Sequence, residues 1–294
     1  MNETDDGVWP AARAVPDRAM LTDAQWARLA PLLPPQPPKT GSRGGRPNKD
    51  HRLVVEGMLW ILRTGAPWRD LPKDYGPHST VANRFYRWWR AGILERVFAA
   101  LLADGDARGA LDWLLHYLDG TVVRAHQHAA GAPKGATLHD AQAREALGRS
   151  RGGLTTKLHV RAEGGGKPVA FVVSPGQRHE CRYAEALLDQ GAVKRPGRGR
   201  PRLRPERVAG DKGYSYPHVR RALRRRGIGA VIPTRKDQRR NPHFDRAAYR
   251  TRERVERLIN RLKQFRRVAT RYEKRGHHYL AFVTLAAIIL WLPV

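Results

Sequence analysis

One cysteine, Cys181, is all the thiol chemistry in 294 residues. A lone cysteine closes no internal disulfide and builds no zinc cluster, which fits a reducing compartment and argues against redox chemistry. Carboxylates are also scarce, with 27 Asp plus Glu against 55 Lys plus Arg, a formal net charge of +28 and a pI near 11.3. A solvated enzyme of small metabolites has no reason to tolerate such self-repulsion. No long hydrophobic run is present either. The longest, Tyr279 to Leu292, is shorter than the roughly 20 residues that cross a bilayer and reads as a buried C-terminal helix. The chain opens Met1, Asn2, Glu3, Thr4, Asp5, Asp6, acidic where a secretory signal is basic and then apolar.

What is present is enough to fold. Apolar residues make up 41% and include eight Trp, material for one large domain or two smaller ones. The basic residues are 11 Lys and 44 Arg. The planar fork of Arg grips phosphate oxygens in pairs, although a G+C-rich genome would also inflate Arg. Under either account the charge calls for a polyphosphate partner, and double-stranded DNA is the first candidate.

Residues 1–20 lack apolar periodicity and are expected to be a loose extension. Thr22 is placed to cap a helix carrying Trp26, Leu29 and Leu32, which the prolines 34, 35, 37 and 38 end. A basic arm follows, with Arg43 and Arg46 suited to phosphates or a minor groove. Helical spacing then runs from Leu53 to Arg63 and, capped by Ser79, to Arg90. Arg84, Arg87 and Arg90 recur every third residue there, as a recognition helix of a helix-turn-helix would carry them. From about residue 111 the texture alternates. Strands are expected at 114–124, 153–161, 169–174, 207–211 and 230–234, with helices at 180–190, 216–226 and 247–272. Three strands followed by alternating helix and strand predict an α/β domain over 111–294, behind a helical DNA-end-binding domain over 21–110. Between Lys194 and Arg240 stand 17 basic residues against three acids, densest over 194–207.

In so basic a chain a carboxylate in a strand stands out. Asp119 follows Tyr117 and Leu118 in an apolar strand, and Asp211 ends another with Gly210 before it and Gly213 after it. Glycine beside an acid leaves room for a ligand to approach the backbone. On the predicted helix, at about 100° per residue, Tyr249, Arg252, Glu256 and Lys263 border an apolar stripe of Val255, Leu258, Ile259 and Leu262. Such a helix laid on the sheet points Glu256 at the two strand ends. Three acids in a field of Arg are what two Mg²⁺ ions require, hard oxygen donors that stabilise both oxygens of an in-line phosphoryl displacement. A solvated ion-pair face on the helix, and turn roles for the two Asp, are the competing readings.

These residues resemble the bacterial insertion-sequence transposases of the insertion-sequence-five family, with an Asp-Asp-Glu triad on a ribonuclease H-like fold. Tyr249, Arg252, Glu256 and Lys263 match its helix signature. Leu118 to Thr121 looks like its first-Asp strand, and Gly210, Asp211, Lys212, Gly213, Tyr214 like its second. The stretches Gly148 to Lys157 and Gly65 to Pro72 are also similar to family blocks, so the likeness runs from about Leu21 to Leu292. The resemblance implies a mixed α/β ribonuclease H-like sheet with flanking helices, and Asp119, Asp211 and Glu256 as catalytic ligands of two Mg²⁺, for which Mn²⁺ substitutes. It implies Tyr249, Arg252, Lys263 and Lys212 as contacts to DNA or to the triad. The expected protein is a cytoplasmic, nucleoid-associated transposase that works as a homodimer or larger assembly on element ends and target DNA. A helix-turn-helix regulator with an inert α/β domain, and a nuclease that cuts without joining, are the alternatives.

Overall fold

The computed structural model describes residues 21–36, 49–130, 145–150 and 153–292. The expected extension 1–20 and the arm residues Arg43 and Arg46 lie outside the described residues. At the start, Thr22 caps helix α1 (Asp23–Leu29) as its position predicts. Its hydroxyl accepts from the Gln25 N–H while the Gln25 side chain accepts from the Thr22 N–H, a reciprocal cap that satisfies two otherwise orphaned donors.

Helix α2 (His51–Thr64) is capped by Asp50, whose carboxylate accepts from the N–H groups of Arg52 and Leu53. It stops at Gly65 in the left-handed conformation, a backbone state that costs glycine little. Helix α3 (His78–Arg90) begins one residue before the expected Ser79 cap. Pro77 is its N-cap and makes no side-chain bond, so Ser79 lies inside the first turn. The connection between α2 and α3 holds two 3-10 turns, Trp68–Asp70 and Lys73–Tyr75, which makes it longer than the roughly 3–4-residue turn of a tight helix-turn-helix. Helix α4 (Ile93–Ala107) completes the N-terminal helical region.

The sheet comprises β1 (Leu115–Ala125), β2 (Gly148–Ser150), β3 (Gly153–Ala162), β4 (Pro168–Pro175), β5 (Arg207–Gly210), β6 (Gly229–Val231) and β7 (Thr270–Arg271). Across it the strands run β4, β3, β1, β5, β6. The first three are antiparallel, whereas β5 and β6 run parallel to β1. That order and those directions are the ribonuclease H-like arrangement. The short β2 extends the sheet beside the start of β3, and β7 pairs with the end of β1.

Alternation along β1 sends successive side chains to opposite layers. Tyr117 joins the large core with α1 to α4, while Leu118 joins a smaller core on the other face. That second layer holds α5 (Ala184–Leu188) and α6 (Pro217–Arg225), the first shorter than expected because residues Glu180–Tyr183 wind as a 3-10 turn.

The helix expected over 247–272 is broken into α7 (Arg246–Arg250), α8 (Glu253–Gln264) and α9 (Arg266–Ala269). At the first break the Thr251 hydroxyl donates to Ala248 O, and the Arg252, Arg254 and Val255 N–H groups each reach back three residues, so the turn tightens. At the second, Phe265 is extended.

Helix α10 (Gly276–Trp291) is buried nearly all round, as its uninterrupted apolar run requires. Among the described residues no helix is long and apolar enough to cross a membrane. Phe282 stacks on Phe85 of α3 at 4.4 Å, and the Trp291 indole donates to Pro168 O. Trp291 also lies against Gly105 of α4, where a Cβ would come within 2.5 Å of the ring. Gly105→Ala is therefore expected to lower the melting temperature. Overpacking costs about 1–3 kcal/mol and outweighs a helix-propensity gain of up to about 1 kcal/mol. A rise in Tm would refute this packing.

Candidate active site

Register brings the first two acids together. Leu118 of β1 lies opposite Gly210 of the parallel β5, so Asp119 and Asp211, each the next residue, emerge side by side where β5 ends. One Asp119 oxygen accepts from the Gly120 N–H at 2.8 Å, and the other accepts from Arg252 Nη1 at 3.0 Å. Asp211 caps a 3-10 turn over Lys212–Tyr214, its carboxylate accepting from the Gly213 N–H at 2.8 Å. Glu256, in the first turn of α8 and half exposed, is ion-paired to the other nitrogen of Arg252. Arg252 thus links Asp119 to Glu256 through one guanidinium.

The acids crowd one another. Burial, above all, pushes the Asp119 carboxyl up to about 6. The charges of Glu180 and Asp211 add to the rise, against the Gly120 N–H and Arg252, which lower it. Arg252 offsets part of the cost of burying this charge and does not cancel it.

The residues expected to hold DNA divide by position. Tyr249 is half-buried against Phe244, with Arg252 above its ring at 6.0 Å. Lys263 is half-buried, its ammonium 3.5 Å from Val122 O on β1. Lys212, Arg87 and Arg90 are exposed. Arg84 does not stand with them. It is 4% exposed, pointing inward to bond the His51 ring at 2.8 Å and to lie over Trp88. The three-residue spacing explains the split, because each step rotates about 60° short of a full turn. Arg84, Arg87 and Arg90 therefore sweep from the packed face, shared with Val81, Phe85 and Trp88, to the open one.

Glu180 escaped the sequence reading, and Tyr214 entered it only as part of the second-Asp block. Glu180 opens the 3-10 turn after β4 and pairs with Lys157 of β3 at 3.3 Å. The space that glycine leaves beside the two Asp is already taken. A Cβ at Gly120 would stand 3.0 Å from one Glu180 oxygen, one at Gly213 would stand 3.3 Å from the other, and one at Gly210 would meet the Tyr214 ring. Tyr214 is wholly buried, and among the described residues its hydroxyl has no hydrogen-bond partner, which costs about 1–3 kcal/mol. The paired glycines next to Asp119 and Asp211 were the available signal, but they do not say which side chain fills the room.

The donor set fits divalent cations of the Mg²⁺ kind, being hard carboxylate oxygens gathered from β1, the end of β5 and α8 near a buried hydroxyl without a partner among the described residues. Among the described residues no three Asp, Glu, His or Cys side chains close on one point. The Arg252 guanidinium lies between Asp119 and Glu256.

Two families match this chain. One described as "Transposase DDE domain" matches residues 117–292, and one described as "Putative transposase of IS4/5 family" matches residues 21–98. A "Putative transposase for insertion sequence element IS6501" from Brucella ovis is 32% identical over 47% of this chain and 99% of its own length. The corresponding protein of element IS402 from Burkholderia cepacia is 33% identical over 46% of this chain and 63% of its own. The solved Mos1 transposase paired-end complex with left transposon end is similar at 13% identity and a TM-score of 0.24, covering 75% of this chain and 81% of that one. The fold rests on the strand order above and draws nothing from that likeness.

Proposed function

The chain belongs to the DDE-domain transposases of the IS4/5 family, whose members are nucleic-acid-cleaving enzymes, and on that premise we propose that it binds the inverted-repeat ends of an insertion sequence, cleaves a strand there, and joins the freed 3′-hydroxyl to target DNA. The observation that carries this reading is the pairing of Leu118 with Gly210, which sets Asp119 beside Asp211 while Arg252 ties Glu256 to the pair.

Asp119, Asp211 and Glu256 would hold two divalent ions, Mg²⁺ or Mn²⁺. When bound, these supply the charge that stabilises the attacking and leaving oxygens of an in-line displacement. Arg252 pairs with both Asp119 and Glu256, supplying the positive charge that bound cations would share there. Tyr249, Lys263 and Lys212 border the acids and orient the phosphate backbone. The exposed Arg87 and Arg90, in a helical part spanning 21–110, contact the element end, and residues 111–294 carry the chemistry. Two ends handled together call for a homodimer or larger assembly on DNA.

The test is nicking of a duplex that carries the element's ends, with purified protein and Mg²⁺ or Mn²⁺. The parent is expected to nick only with the cation, and Asp211→Asn to bind the duplex without nicking it. Tight binding with no nicking by the parent would favour a regulator and overturn the proposal.

A further inference from the structure

We propose that Glu180 is a further oxygen donor to the cation site of Asp119 and Asp211, and that Lys157 is the internal cation which a divalent ion displaces from it. The inference rests on the reading of that site given above and adds a residue to it. Glu180 is not placed as a surface acid. Its side chain is 19% exposed and that of Lys157 13%, whereas the solvated pair Glu253 and Arg257 on α8 exceeds half exposure on both sides.

Its two oxygens lie one against Gly120, next to Asp119 in β1, and the other against Gly213 in the 3-10 turn that Asp211 caps. A carboxylate wedged between the strand bearing Asp119 and the turn capped by Asp211 is repelled from both sides unless a cation is shared among them. One ammonium serves Glu180 alone, because Asp119 takes its counter-charge from Arg252 and Asp211 bonds to the Gly213 N–H.

A second observation concerns a neighbouring hydroxyl. The Tyr214 hydroxyl is fully buried with no partner among the described residues, and Glu180 is the acidic charge that bears on it most, ahead of Asp119 and Asp211. A buried hydroxyl without a partner, within the influence of these charges, is one that a hydrated ion among them would engage.

Lys157 explains how the group persists without the ion. It lies on β3 between Val122 of β1 and Ser174 of β4, rooted in the sheet and close enough to pair with Glu180. A merely structural ion pair predicts that loss of either partner has the same consequence. A donor and its displaceable counter-ion predict opposite ones.

The experiment is a titration of the full chain with Mn²⁺ at pH 7, with free Mn²⁺ read by electron paramagnetic resonance and folding checked by near-ultraviolet circular dichroism. Glu180→Gln is expected to weaken Mn²⁺ binding by about tenfold or more, and Lys157→Gln to tighten it severalfold, because the competing cation is gone. Unchanged affinity in E180Q, or K157Q weakening in step with it, would overturn the inference. If E180Q fails to fold, K157Q, which keeps the carboxylate, decides the question by the sign of its shift. Asp211→Asn is the reference. If D211N binds Mn²⁺ like the parent, the cation site itself is wrong, whereas loss in D211N with no loss in E180Q removes Glu180 alone.

Discussion

Asp119→Asn is expected to abolish cation-dependent strand cleavage, by about a thousandfold or more, and to make the cation-free protein more stable. The first effect follows from losing a ligand of ions that contribute several kcal/mol to the transition state. The second follows from linkage. In the folded chain the Asp119 carboxyl is pushed up to about 6 from an ordinary 3.8, chiefly by burial. Its native form therefore binds a proton more tightly than the unfolded chain does. Stability from this group is full below about pH 3.8, declines as pH rises through 6, and stays reduced above that, by up to about 3 kcal/mol. Asn carries no charge to bury and escapes the penalty, while keeping the shape that packs beside Gly120. Thermal melts in chelator between pH 4 and 8 should show the parent losing Tm across this window relative to the variant. Added Mn²⁺ should restore the parent and leave the variant unmoved. A variant that melts below the parent at pH 8, or cleaves within tenfold of it, would contradict the placement of this carboxylate.

The second large effect concerns Arg161, which lies in β3 and is wholly buried. It meets no carboxylate among the described residues. Its guanidinium donates instead to His116 Nδ1 at 3.0 Å, to the carbonyls of Leu188 and Gln190 at 3.3 and 3.0 Å, and to the carbonyl of Leu203. Burial lowers its pKa to about 10, so it stays charged at neutral pH. It also presses the His116 pKa well below normal, after burial itself, and leaves that ring a neutral acceptor.

Arg161→Ala removes four donated bonds at once and strands their acceptors in the interior. The expected loss is about 3–5 kcal/mol, a large part of an ordinary domain's stability. Arg161→Lys should recover little, because a single ammonium at the end of a flexible stem does not reproduce the planar fork. The carbonyls it holds flank the segment where Val193 and Arg202 form an isolated bridge and Lys194, Arg195, Arg198 and Arg200 are exposed. Proteolysis in that segment should therefore rise before the rest of the chain unfolds. Urea titration gives the stability and limited trypsin digestion the order of events. A variant within about 1 kcal/mol of the parent would show that the cage does not hold the segment.

Much of this architecture could be read before any coordinates. Strands β1, β3 and β4 come within a residue or two of expectation, because alternating apolar side chains between glycines have few other ways to pack. The Thr22 cap and the apolar C-terminal helix were equally plain. The long helix failed at Thr251 and Phe265 because a face pattern reports which residues share a side and says nothing of a hydroxyl tightening one turn. Arg84 failed for a related reason, since a row of like charges at three-residue spacing cannot all stay on one face. The three acids were legible as strand-end and helix-border residues. Their adjacency was expected from the helix laid on the sheet and from the family resemblance, whereas the β1–β5 register that produces it is set by side chains far apart in the chain and could not be read. Glu180 was hidden most completely, as an ordinary-looking acid after a loop whose meaning lies in the two glycines it rests on.

Phe282 stacked on Phe85, and Trp291 wedged against Gly105 and bonded to Pro168, have a consequence for how such a protein can evolve. The N-terminal helices and the sheet that bears the acids share one oily seam, so the two halves are not interchangeable cassettes. Swapping the first half for a distant cousin's would expose the closing helix to water. Change that keeps the fold must arise instead piecemeal, at outward residues such as the exposed Arg87 and Arg90, with the seam preserved.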